Sequence, residues 1–276
     1  MSAAIVPPDS SAVAEPVQRL SREDLSELVA IMLEVGEAMI ESGAAALRTE
    51  QTMAQIGLGL GADRVELYIT PTGIVATAVS GHEQRTRVGR AGALGVDMAK
   101  IAQLNDLSRH IALLGGTLPA ARRQLAAIHA APRQQPSWVT IPAVGLACAS
   151  FAHILGGGWA EFAAAGLGGT VAQAVRLLLA RLRVNAFALT VVCSFAAALL
   201  ASLVCLLLDV SLPQHALAAS VLLMVPGVPL ITSVLDLSSN DIVSGVARGA
   251  LAFLLALSIG IGLVIALWVT GLQVTP

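Results

Sequence analysis

Charge and aromatic side chains are both scarce in this chain. Only 12% of its 276 residues are Asp, Glu, Lys or Arg, against about 25% in an ordinary soluble domain. With 56% hydrophobic residues and a mean hydropathy of +0.79, that shortage excludes a wholly soluble globular protein and indicates a membrane protein. Aromatics at 3% leave little for base stacking, and a net charge of −2 supplies no basic face, so nucleic acid is excluded as a partner. Cysteine is limited to Cys148, Cys193 and Cys205, each inside an apolar run. An odd number without ligand spacing reads as small buried hydrophobes, not a disulfide or zinc framework. The five histidines are scattered, so no metal and no cofactor is expected. Residues 1–20 lack a continuous apolar core, because Pro7, Pro8, Asp9, Glu15 and Pro16 interrupt them. They read as a disordered lead-in, not a signal peptide, and the half that follows is expected to stay on the cytoplasmic side.

The charge that is present is unevenly placed. Residues 1–137 hold 12 of the 16 Lys/Arg and 14 of the 18 Asp/Glu. The fold class that follows is an α-helical membrane protein with five transmembrane helices, preceded by a small cytoplasmic α/β domain. The domain boundaries are expected at 21–131 for the α/β domain, 132–137 for a linker and 138–276 for the membrane domain. In the first, Ser21-Arg-Glu-Asp24 caps a helix whose stripe is Leu25, Leu28, Val29, Met32, Gly36, Met39 and Ile40. A second helix runs from Ala44 to about Leu60. Val65–Ile69, Ile74–Val79 and Gln84–Gly89 read as strands, and Asp97–Leu114 and Leu118–Ala130 as helices. In the second, apolar spans are expected at roughly Trp138–Leu155, Trp159–Ala180, Ala186–Leu208, Ala216–Leu235 and Ile242–Thr270. Arg122, Arg123 and Arg133 precede the first span, and Arg181 and Arg183 lie between the second and third. The positive-inside rule puts both groups in the cytoplasm, which leaves the C-terminus outside.

One stretch breaks the apolar pattern. Pro226-Gly-Val-Pro229 leads through Thr232, Ser233 and Asp236 to Asp241, Ser244, Gly245 and Arg248. At helical spacing Pro229, Thr232, Ser233 and Asp236 share one face of the first segment, and Asp241, Ser244, Gly245 and Arg248 one face of the next. Pro226 and Gly227 precede Asp236 by about ten residues, ~15 Å of helix, near the middle of a ~30 Å hydrocarbon core. Helix breakers and charges at that depth persist where they line a substrate path. The competing reading is a structural kink with a loop-capping Asp and a snorkelling Arg. Glu161 and Arg176 lie near opposite ends of the second span and are weaker candidates, read first as interface anchors. His153 is expected to be packed or hydrogen-bonded and is a weaker candidate for a proton site. In the soluble half, Glu41, Ser42, Gly43, Arg48 and Glu50 form a polar cluster at a helix junction, with Pro71 and Thr72 between strands, Arg87 on a strand and Asn105 on a helix. No nucleophile–base pair or phosphate loop is among them, so they read as domain packing and the chain is not expected to be an enzyme.

Taken in order, Glu41-Ser-Gly-Ala-Ala-Ala-Leu-Arg48-Thr-Glu50, Thr70-Pro-Thr-Gly-Ile74, Thr86-Arg-Val88, Leu104-Asn-Asp-Leu-Ser-Arg109, Pro226-Gly-Val-Pro-Leu-Ile-Thr232, Asp236-Leu and Asp241-Ile-Val-Ser-Gly-Val-Ala-Arg248 resemble the threonine/serine exporter family over roughly residues 23–270. Asn240, Ser233 and Ala186 depart from it, standing where glycine, asparagine and proline are common. The resemblance implies proton-driven export of small metabolites, threonine- and serine-like or dicarboxylate, across the inner membrane. It also implies a small transmembrane partner subunit, because full-length members carry a second membrane half. On this reading Pro226, Pro229, Thr232 and Ser233 cradle the substrate, Asp236 or Asp241 carries the proton, Arg248 is its counter-ion or a carboxylate anchor, and Asp241→Asn and Arg248→Ala both lose export. The soluble half would gate, regulate or hold the partner, in a hetero- or homo-oligomer. The rival reading is a membrane-anchored cytoplasmic metabolite-binding or enzymatic domain, with a pocket around Ser42, Arg48, Glu50, Thr72 and Arg87.

Overall fold

The computed structural model describes residues 20–131, 136–182, 184–210 and 212–272, the side chain of Arg181 excepted. The lead-in up to residue 19, the linker from 132 to 135, and Arg133 and Arg183 therefore lie outside the described residues. The chain forms two compact units that divide between Ala130 and Ala131.

The first unit is built around one helix. α1 (Arg22–Glu41) starts at Ser21, whose hydroxyl accepts from the Asp24 amide at 3.1 Å. The expected stripe is buried, and so are Ile31, Leu33, Val35 and Ala38 on its flanks. α1 is therefore covered on several sides, which only an apolar helix at the centre of a domain tolerates. One cover is the antiparallel sheet of β1 (Arg64–Thr70), β2 (Gly73–Ser80) and β3 (Glu83–Gly89), in that spatial order. The register sets Ile69 opposite Ile74 and Leu67 opposite Ala76, so Ile69, Ile74, Ala76 and Ala78 turn to the core. On the other face Tyr68, Val75 and Val88 lie side by side and exposed, next to a 2.8 Å Thr77–Thr86 hydroxyl contact. The remaining cover is α2 (Ala46–Gly59), α3 (Met98–Leu114, capped by Asp97) and α4 (Leu118–Ala130). Arg122 on α4 fastens to Glu27 and Glu34 of α1, and His129 lies 3.4 Å from Glu34. That network joins residues up to 95 positions apart, and only the i, i+7 spacing of Glu27 and Glu34 hints at it in sequence.

The second unit contains α5 (Ser137–Ile154), α6 (Trp159–Arg181), α7 (Ala186–Leu207), α8 (Pro213–Val221), a 3₁₀ turn (Leu222–Met224), α9 (Gly227–Ser238) and α10 (Ile242–Thr270). Four of these helices are long and apolar enough to cross a membrane, and α8 with α9 makes a fifth span bent by 62°. The fourth expected span is thus two helices. The bend falls at Val225-Pro226, where proline has no amide to donate and cannot continue a helix. Pro229 is harmless three residues on, because the first turn of α9 needs no donor there. Small residues line the helix contacts: Cys148, Ala149 and Ala152 on α5, Ala164 and Ala165 on α6, and Ala197, Ala198 and Ala201 on α7. Such interfaces let helix backbones approach closely where apolar burial gives no net drive.

Candidate functional site

Among the described residues, the α9–α10 hairpin carries six of the ten buried polar or charged side chains of the second unit: Thr232, Ser233, Asp236, Ser244, Arg248 and Ser258. Its connection turns on Asn240, whose φ of +65° lies in the left-handed region. Asparagine tolerates that conformation better than most other non-glycine residues. The turn closes with the Asp241 amide donating to the Asp236 carbonyl at 2.9 Å. This register sets the buried faces of the two helices against each other: Thr232, Ser233 and Asp236 from α9, Ser244, Gly245 and Arg248 from α10.

Arg248 Nε lies 3.1 Å from Asp236 Oδ2, with the side chains only 2% and 0% exposed. Arg248 Nη1 also donates to Thr232 Oγ1 at 3.3 Å, and that hydroxyl donates in turn to the Val228 carbonyl at 2.9 Å. Ser233 donates to the Gly245 carbonyl at 2.7 Å. The guanidinium is therefore buried within the bundle, and the snorkelling alternative does not describe it. Of the two candidate carboxylates, the geometry brings Asp236 to Arg248. Asp241 sits half-exposed at the start of α10 and its side chain makes no capping bond, so it is not a loop cap either. Pro226 is buried, Pro229 half-buried and Gly227 exposed at the bend. A buried ion pair within apolar helices is costly to desolvate, and replacement by packed hydrophobes is often neutral or stabilising. Its presence there calls for a functional explanation.

The weaker candidates lie elsewhere. Glu161 is half-buried in the first turn of α6, where an acid suits the helix dipole, and Arg176 is exposed on the same helix. His153 is exposed in the last turn of α5, its Nδ1 2.9 Å from the Gly157 carbonyl and its ring stacked on Trp159 at 5.4 Å.

In the first unit the Glu41-Ser-Gly motif organises a loop. Glu41 accepts the Gly92 amide on Oε1 and the Gly95 amide on its carbonyl, both at 2.8 Å, and the Ser42 carbonyl accepts from Asp97 at 3.0 Å. Gly43 has φ of +92°, a conformation that favours glycine and lets the chain reverse into α2. Arg48, Glu50, Thr72 and Arg87 are exposed, Pro71 is buried, and Asn105 Oδ1 lies 3.1 Å from the Thr52 hydroxyl. An open cleft of about 960 Å³ lies on this unit, lined by Asp24, Glu27, Thr117, Arg122 and Arg123 among others and by none of these motif residues. No group of His, Cys, Asp and Glu suited to a metal ion occurs among the described residues.

A family model described as "Putative threonine/serine exporter" matches residues 30–270. The chain is 30% identical to the "Probable succinate transporter subunit YjjP" of Escherichia coli K12 over 92% of its own length and 99% of that protein. It is 31% identical to the protein of the same name in Klebsiella aerogenes, over 85% of its own length and 91% of that one. No solved structure matches it. A match over most of the chain, with the helical bundle and the hairpin that carries the motif, establishes that this protein belongs to the threonine/serine exporter family.

Proposed function

We propose that the chain is the larger subunit of a two-subunit secondary exporter, which moves small carboxylate-bearing metabolites across the inner membrane and is coupled to the proton gradient. The substrates are threonine- or serine-like amino acids or small dicarboxylates such as succinate. Membership of the exporter family supports export, and the subunit names of the relatives support a second chain. The observation that carries the reading is the buried Arg248–Asp236 pair beside a span broken at Pro226. Transporters of several folds place their sites at such breaks, where unwound backbone and intramembrane charges meet the substrate. A guanidinium matches a carboxylate in charge and in geometry, which is what threonine, serine and succinate share. The first unit lies on the cytoplasmic side in this arrangement and the C-terminus outside, a reading that the arginine distribution supports.

The test is efflux of threonine, serine and succinate from cells expressing the chain with and without a candidate small membrane partner. Efflux that needs both chains and collapses with an uncoupler is the expected result. Efflux of none of the three would overturn the reading, and efflux indifferent to uncouplers would indicate a passive channel.

A further inference from the structure

We propose that Arg248 is a carboxylate seat and that Asp236 is its built-in occupant, so that substrate binds only by displacing Asp236. The inference rests on the transport reading and adds how the site is filled and emptied. The Asp236 carboxylate offers Arg248 the same two oxygens that the carboxylate of an amino acid or dicarboxylate would offer. With the pair 2% and 0% exposed, the site as it stands is closed to a second carboxylate. Two carboxylates on one guanidinium would also repel strongly at low dielectric. Occupancy is therefore exclusive. Asp236 yields the seat when it takes a proton, because a neutral acid holds a guanidinium far more weakly than a carboxylate does. The wall that bears it, α9, is a 12-residue helix that packs on α10 and joins α8 at the Val225-Pro226 bend, so it is the element placed to open.

Few charges compete with this exchange. α10 packs on α7 and α9. α7 carries no Asp, Glu, Lys, Arg or His, only Cys193 and Cys205 as weakly ionisable groups. α9 supplies Asp236, the connection supplies Asp241, and Arg248 is the one basic residue of α10. A proton taken up at the seat therefore goes to Asp236, and the substrate's negative charge replaces the one it lost.

The experiment measures succinate binding calorimetrically to the full chain in nanodiscs, in buffers of different ionisation enthalpy. Wild type is expected to take up about one proton per succinate bound near neutral pH. Asp236→Asn is expected to bind succinate at least about tenfold more tightly and without proton uptake, since the seat is no longer blocked. Arg248→Gln is expected to lose binding. Succinate binding to Asp236→Asn that is no tighter than to wild type overturns the proposal. So does wild-type binding without proton uptake, a measurement that stands even if Asp236→Asn does not fold. Wild-type efflux accompanied by either result leaves the transport reading intact and removes the seat alone. Absence of all efflux, with tight binding to Asp236→Asn, does the reverse.

Discussion

Ser233 on α9 donates to the Gly245 carbonyl on α10 at 2.7 Å, across the connection that joins the two helices. The contact is possible because Gly245 has no side chain: a Cβ there would lie 2.5 Å from Leu237 Cγ. Gly249, one turn on, would bring a Cβ within 2.9 Å of Ser233 Oγ. Gly245-x-x-x-Gly249 thus presents a smooth surface to α9, and Arg248 emerges beside it toward Asp236.

Gly245→Val is expected to force the helices apart and to lower both thermal stability and efflux, because the new side chain meets Leu237 and its backbone and not a flexible tip. Ser233→Ala removes only the hydrogen bond and is expected to cost about 1 kcal/mol, leaving the packing unchanged. Melting of the two purified variants checks the contrast. Equal melting temperatures would show that close approach at Gly245 is not what holds the hairpin.

Arg248→Ala leaves the Asp236 carboxylate buried without its guanidinium and is expected to destabilise the protein by about 3–5 kcal/mol and abolish efflux. The double variant Asp236→Asn with Arg248→Gln removes both charges, and is expected to recover much of the stability and none of the transport. Asp241→Asn is expected to reduce efflux less than Arg248→Ala, since Asp241 is half-exposed at the helix start while Asp236 fills the buried position. Efflux by the double variant at the wild-type rate would reduce the pair to a structural role.

The broad plan was legible because it rests on periodicity. The α1 stripe, the alternation in β1 and β2 and the apolar spans each follow from one local pattern, and the structure places each within a few residues of expectation except the fourth span, which it divides into α8 and α9. The choice between Asp236 and Asp241 was not legible. It depends on how tightly the hairpin turns, which Asn240 decides by adopting a left-handed conformation. The bend was announced by two prolines, but its 62° angle was not, because proline marks a break without fixing the direction beyond it. Glu41 showed as part of a polar cluster, yet its hold on Gly92 joins residues 51 apart and has no local signature.

Glu37 gives the first unit a pH dependence of definite sign. Burial raises its pKa above the ordinary carboxylate value, the neighbouring Glu41 and Glu34 raise it further, and the Arg90 amide opposes them. A carboxyl whose pKa is higher folded than unfolded binds more protons in the folded state. Its favourable contribution is complete below the unfolded pKa and is lost as pH rises through the folded one. Glu37→Gln is expected to raise stability at neutral pH and to flatten its dependence on pH just above the usual carboxylate range. Amide exchange in α1, followed across that range, makes the measurement. A variant as pH-sensitive as wild type would place the titration elsewhere.

Gly227 separates the structural and functional uses of the bend. It is exposed, its φ is not in the left-handed region, and a Cβ built on it meets nothing within 4 Å. Nothing in the fold therefore requires glycine, and Gly227→Ala is expected to insert and melt as wild type does. Alanine in the first turn of a helix also stiffens the chain relative to glycine, through lost backbone freedom. If α9 swings about Val225–Gly227 to uncover Arg248, that stiffening and the added methyl act where the movement occurs. Efflux is then expected to slow severalfold while the Asp236–Arg248 pair and the melting temperature stay unchanged. An efflux rate equal to wild type would put the moving joint outside Gly227, and a lowered melting temperature would mean that the glycine is structural after all.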